Sequence, residues 1–333
     1  MNLTMKANTN NDPPQVVWSI LAVMRLCLAS VVMVGHMAFF YAIPVGTLRF
    51  LSSLNGSYAV LWFLAISGFS IAHSHTKNPD GYYARRCWRI LPVYGACVAV
   101  ALVPYLFSFD ISQAYGGSTV THAKFWSTLL AAFTFSLSGH VDTDGPIWSL
   151  GVEVLWYALT PLLARSRIII VTLMVGSFAM FHWTGWPSTT WSIGGNATLS
   201  AIPMVSWAWL AGFCLYHACK RWPTFSFSGR VAKTAQWCGD ISYPVYLVHM
   251  PVLWLLNAIG FPMSAYTALI FVIVSSATVF HLVDLPSRRL RKVMGSRHSK
   301  KSDQTGLHAS LACKPAGKAS LVNAKLESEP RKT

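Results

Sequence analysis

Acidic side chains are scarce in this chain. It carries 11 Asp and Glu among 333 residues, and of its three glutamates only Glu153 lies outside the C-terminal tail that holds Glu327 and Glu329. Charged residues of both signs make up 11%, about half the usual share, against 53% hydrophobic residues and a mean hydropathy of +0.44. That balance argues against an ordinary soluble domain and for a chain that crosses a membrane several times. The cysteines are seven, odd in number and scattered (Cys27, Cys87, Cys97, Cys214, Cys219, Cys238, Cys313), which suits neither a disulfide framework nor a zinc site. No P-loop, dinucleotide-binding glycine pattern or zinc-protease motif occurs at a meaningful position. Nor do the two halves resemble each other, as those of many transporters do.

What is present is apolar run after apolar run. Stretches at 26–45, 58–72, 90–107, 125–137, 147–163, 168–183, 199–216, 241–257 and 264–283 read as helical spans, several of them short for a hydrocarbon layer about 30 Å thick. The expected fold is all-α and polytopic, with nine or ten transmembrane helices. A polar segment 1–15 precedes a membrane domain 16–287, and residues 288–333 read as a basic, disordered tail. That tail holds 12 Lys and Arg against three acids, so it supplies nine of the net +15 charges. The positive-inside rule places it, and the cluster Lys77, Arg85, Arg86 and Arg89, in the cytoplasm, with anionic lipid rather than nucleic acid as the partner. Nine spans cannot reconcile a cytoplasmic N-terminus with a cytoplasmic tail. Either a span is missed in 220–240 or one short stretch does not cross. The long first apolar stretch, with no small-residue cleavage pattern after it, argues against a cleavable signal peptide.

Four constellations can carry chemistry. In RLCLASVVMVGH, Arg25 and His36 are eleven residues apart, which on a helix is roughly 16 Å of rise and about 20° of rotation. Both therefore share a face, and an arginine at the membrane surface carries the histidine to mid-bilayer depth. Ionisable groups at that depth usually serve a site or a path, although a packing histidine and a snorkelling arginine are the plainer alternatives. In GPIWSLGVEVLWYALTP, Ser149, Glu153 and Tyr157 fall four apart on one face beside Trp148, as a site or as a structural ion pair. In GDISYPVYLVHMP, Ser242, Tyr246 and His249 share a face, with an interfacial aromatic belt as the alternative. Arg86 and Arg89, three apart, suit either a surface anchor or a phosphate clamp, because guanidinium forks match phosphate oxygens.

Taken together these motifs resemble the family-3 membrane acyltransferases, the O-antigen acetylase type. The likeness runs in order through Arg25 and His36, WFLAISGFS at 62–70, YYARRCWRILPVY at 82–94, IWSLGVEVLWYALTP at 147–161, WLAGFCLY at 209–216 and GDISYPVYLVHMP at 239–251. Two departures stand out: only about twenty rather polar residues separate Cys219 from the GDISYPVYLVHMP motif where the family has a further span or two, and the closing acid-x-proline pattern appears as Asp284 and Pro286 where a glutamate is common. The resemblance implies transfer of an acyl group, most commonly acetyl, from acyl-CoA as co-substrate to a hydroxyl of a saccharide or glycolipid, in the cell membrane and with no metal. It implies His36 and Glu153 as the catalytic pair and Arg25, Arg86 and Arg89 as donor-binding residues. Trp148, Ser149, Tyr157, Ser242, Tyr246 and His249 would line the acceptor side. A lipid, peptide or small-molecule acceptor is the nearest alternative, and a glycolipid transporter or flippase, or a non-catalytic scaffold, would also bury a few ionisable groups.

Overall fold

The computed structural model describes residues 12–44, 46–107, 120–185, 197–219, 222, 227–260 and 264–291. The polar segment 1–15 and the basic tail 288–333 fall almost wholly outside them. Among the described residues there is no strand. Ten α-helices follow one another: α1 (Gln15–Phe40), α2 (Thr47–Ser53), α3 (Gly56–Lys77), α4 (Tyr82–Phe107), α5 (Phe125–Phe133), α6 (Ile147–Leu163), α7 (Arg167–Thr184), α8 (Ala197–Ala218), α9 (Gly229–Ala258) and α10 (Ala265–Val279), which continues through a π-helical turn at Phe280–Asp284. The chain is thus an all-α polytopic membrane protein.

Helix starts follow local chemistry. The Asn55 side chain accepts from Ser57 N at the head of α3, Ser166 accepts from Ile169 N at the head of α7, and Ser264 accepts from Thr267 N at the head of α10. Helix α7 stops at Gly185, whose φ of +66° a side-chain-bearing residue would resist. At the end of α3 Lys77 pairs with the exposed Asp12 carboxylate and, by that hydrogen bond, holds it below its ordinary pKa. So exposed a pair contributes little to stability.

Seven of the helices are long and apolar enough to cross a bilayer, and the 17-residue α6 is a shorter apolar eighth. The stretch 125–137, expected as a span, yields only the nine-residue α5, about 14 Å of rise. It ends because the chain turns back through Phe135 and Ser136, both at positive φ. Counting α6, eight crossings would bring the chain back to the side on which it began.

At the centre, α1 packs along α9 and α3 along α8, with α4, α6 and α10 around them and α7 outermost on α8. The α3–α8 contact is backbone against backbone. A Cβ on Gly68 would run into the Trp209 carbonyl, and one on Gly212 into that of Ala65. Prolines inside the helices remove donors, and at two of them a side chain from a neighbouring helix replaces the lost one. Pro251 cannot serve the Leu247 carbonyl, which instead accepts from Cys97 Sγ at 2.8 Å; Pro161 cannot serve the Tyr157 carbonyl, which accepts from Tyr82 OH at 3.2 Å. Outward faces are apolar, as on α7, where Ile168, Val175 and Trp183 are exposed.

Candidate active site

Two cavities meet inside the helix bundle. The larger, about 400 Å³, is lined by Arg25 from α1, Arg86 and Arg89 from α4, Ser149, Glu153 and Tyr157 from α6, and Ser242 and Tyr246 from α9. Eight of the eleven residues singled out in the sequence therefore share one chamber. The smaller, about 240 Å³, is lined by His36 and Phe39 from α1, by Asn55 and Ser57 at the head of α3, by Trp148 from α6, and again by Tyr246.

In the larger chamber the ionisable groups are held by short side chains. Arg25 Nη2 donates to Ser70 Oγ at 2.7 Å, and Ser70 in turn donates to the Ile66 carbonyl. Arg86 donates to Ser74 Oγ, and its guanidinium carbon lies 5.8 Å from the ring centre of Tyr82 and 5.9 Å from that of Tyr157. These are cation–π distances, and they fix the guanidinium without neutralising it. Glu153 Oε1 accepts from both Ser67 Oγ and Tyr157 OH, so that oxygen is held by neutral donors. Ser149 donates to the Pro146 carbonyl at 2.8 Å; having one hydrogen, it must accept from Tyr246 OH, 2.6 Å away.

His36 and His249 form the second centre. His36 Nδ1 lies 2.8 Å from His249 Nε2, with the rings 8° from parallel, and His249 Nδ1 lies 3.1 Å from the Val245 carbonyl oxygen. A carbonyl can only accept, so His249 Nδ1 carries a hydrogen. In the neutral ring its Nε2 is then the acceptor, and His36 Nδ1 must be the donor. The same reasoning leaves Nε2 as the proton-accepting nitrogen of His36. His249 is fully buried and lines neither cavity. The resemblance implied it on the acceptor side; here it is buried and hydrogen-bonded to His36.

The chain is similar to Nodulation protein 10 of Rhizobium leguminosarum bv. viciae. Identity is 23% over 145 residues, 35% of this chain, and the match spans 38% of that protein's length. The likeness is distant and partial. No family model matches this chain, and no solved structure matches it.

The fold brings in several further residues that the motifs do not mark. Trp18, Ser70 and His73 line the larger cavity with Arg25; Asn55 and Ser57 line the smaller with His36. Ser70 had a signal, since it follows Ser67 by three residues on α3 and so shares its face. Asn55 and Ser57 had none beyond being a helix cap, which is their local role as well. Among the described residues no group of three or more His, Cys, Asp or Glu side chains is arranged to hold a metal ion.

Proposed function

We propose that this protein is a membrane acyltransferase that moves a short acyl group, most commonly acetyl, from acyl-CoA to a hydroxyl of a saccharide or glycolipid. The observation that carries the reading is the His36–His249 hydrogen bond, which presents a proton-accepting imidazole nitrogen at a cavity adjoining one lined by three guanidinium groups. The ordered motif resemblance supports the same class, and the distant similarity to Nodulation protein 10 is compatible with it.

The chemistry needs a base beside a thioester carbonyl and an anion site at a fixed distance from it. Arg25, Arg86 and Arg89 would take the coenzyme A pyrophosphate, where guanidinium forks match phosphate oxygens. Arg25 and His36 are separated by roughly 16 Å along α1. The pantetheine arm between pyrophosphate and sulfur has about the reach of four extended residues, roughly 14 Å, so a donor anchored at the arginines brings its thioester near His36.

An acceptor hydroxyl in the smaller cavity would give its proton to His36 Nε2 as its oxygen attacks the thioester carbonyl. The acyl–sulfur bond breaks, the acyl–oxygen bond forms, and the departing thiolate takes the proton back from His36. His249 would hold the His36 ring and share the imidazolium charge. Glu153, held by Ser67 and Tyr157, would balance the arginines in the emptied chamber. The basic loops would face the cytoplasm, where acyl-CoA is made, and the smaller cavity the opposite side. The test is label transfer from radiolabelled acetyl-CoA into envelope saccharide in membranes of the source organism. With His36→Ala at matched expression, transfer is expected to fall by about 10²–10⁴-fold. Equal label would remove His36 from the mechanism.

A further inference from the structure

The arginines and His36 stand in different cavities, so a thioester anchored in one chamber can meet the base only where the two join. Val60 of α3 and Tyr246 of α9 are the described residues that line both. Tyr246 is not free to swing aside. Its hydroxyl donates to Ser149 Oγ at 2.6 Å, its ring lies 5.1 Å from that of Phe63, and it borders His249 at 6.1 Å. Val60 is 6% exposed, and as a β-branched residue on a helix it is stiff about its first side-chain torsion. The join is therefore framed by a pinned ring on one side and a stiff side chain on the other. Beyond it, the smaller cavity of about 240 Å³ must take the acyl group and the attacking hydroxyl together.

We infer that the part of the smaller cavity bounded by Val60 and Tyr246 is the acyl subsite, and that it limits the donor to short acyl groups. The inference rests on the acyl-transfer reading above and adds which residues set the acyl size. A longer chain would have to displace Val60 or tear Tyr246 from Ser149. Size discrimination of this kind is worth about tenfold or more per methylene in a closed apolar site.

The experiment measures transfer into envelope saccharide from radiolabelled acetyl-, propionyl-, butyryl- and hexanoyl-CoA, with the full-length protein in membranes. Wild type is expected to use the two shorter donors and to discriminate steeply against hexanoyl. Val60→Ala removes the stiff edge and should raise the hexanoyl-to-acetyl ratio of kcat/KM by about tenfold or more. Tyr246→Phe, which loses its anchor but keeps the ring, should raise it less, and Val60→Ile should lower the butyryl-to-acetyl ratio. Val60→Ile keeps the site falsifiable if Val60→Ala does not fold, as judged by gel filtration in detergent. A donor profile unchanged within twofold across the folded variants would overturn the inference while leaving acyl transfer standing. Wild-type membranes that transfer no acyl group from any donor would overturn both.

Discussion

A backbone carbonyl has no hydrogen to give, and that fact propagates through the residues of the second centre. The Val245 carbonyl fixes the proton of His249, and His249 then fixes that of His36. In the proposed mechanism His249 would be a positioning residue for the base, in a role that a carboxylate often fills beside a catalytic histidine. A neutral partner suits a site this buried, because it needs no counter-charge. His249→Ala is expected to lower kcat by about 10²-fold while leaving KM for acyl-CoA near the wild-type value. His249→Gln offers an amide oxygen to the same Nδ1 hydrogen and should retain more activity than alanine. Steady-state kinetics on the two variants check this, since a merely packing role would move them together. In the sequence His36 was legible as an ionisable group inside an apolar run. Its partner, 213 residues later, was legible as a candidate on the face of Ser242 and Tyr246, but not as the residue that His36 meets.

At the scale of elements, contacts between helices are made by what side chains leave out. Gly68 and Gly212 let α3 and α8 meet backbone to backbone, and that contact places Ser67 and Ser70 against Glu153 and Arg25. Gly68→Ala should destabilise the protein by about 1–3 kcal/mol through overpacking, read as a lower thermal midpoint in detergent. Gly176→Ala on α7, where an added Cβ meets nothing within 4 Å, should leave the midpoint unchanged or raise it. The closeness at Gly68 was foreseeable from a Ser-Gly pair in an apolar run. The approach of Gly239 to Ala22, across α9 and α1, was not singled out, because one glycine in a helix does not say which neighbour it faces.

Over the whole molecule, eight crossings, α6 included, would remove a conflict that nine could not. With α5 too short to cross, most basic residues near the helix ends fall at one end of the bundle: Lys77 to Arg89 between and at the edges of α3 and α4, Arg165 and Arg167 before and at the start of α7, and Arg230 and Lys233 at the start of α9. Among connections at the other end, Arg49 and Lys124 are the basic residues of the sequence. This is the asymmetry that the positive-inside rule demands. Single cysteines introduced at Asn78 and Gly260, in a chain otherwise free of reactive cysteine, should label from opposite sides of sealed vesicles with a membrane-impermeant thiol reagent. A ninth crossing at α5 would put both on the same side.

The sequence by itself determined the class, the environment and most of the chemistry-bearing residues. Scarcity of charge and repeated apolar runs are local properties, and an ionisable group in such a run declares itself without reference to any other part of the chain. Helical spacing then put Arg25 with His36, and Ser149 with Glu153 and Tyr157, because 3.6 residues per turn is a property of the backbone alone. Only the tertiary structure decided which of these faces share a space. It joined α1 to α9 and so made a histidine pair, put the arginines and His36 in two cavities that share Val60 and Tyr246, and turned an expected span into the short α5. Each outcome depends on side chains far apart in sequence meeting at a few ångströms. No period read along one helix encodes that meeting.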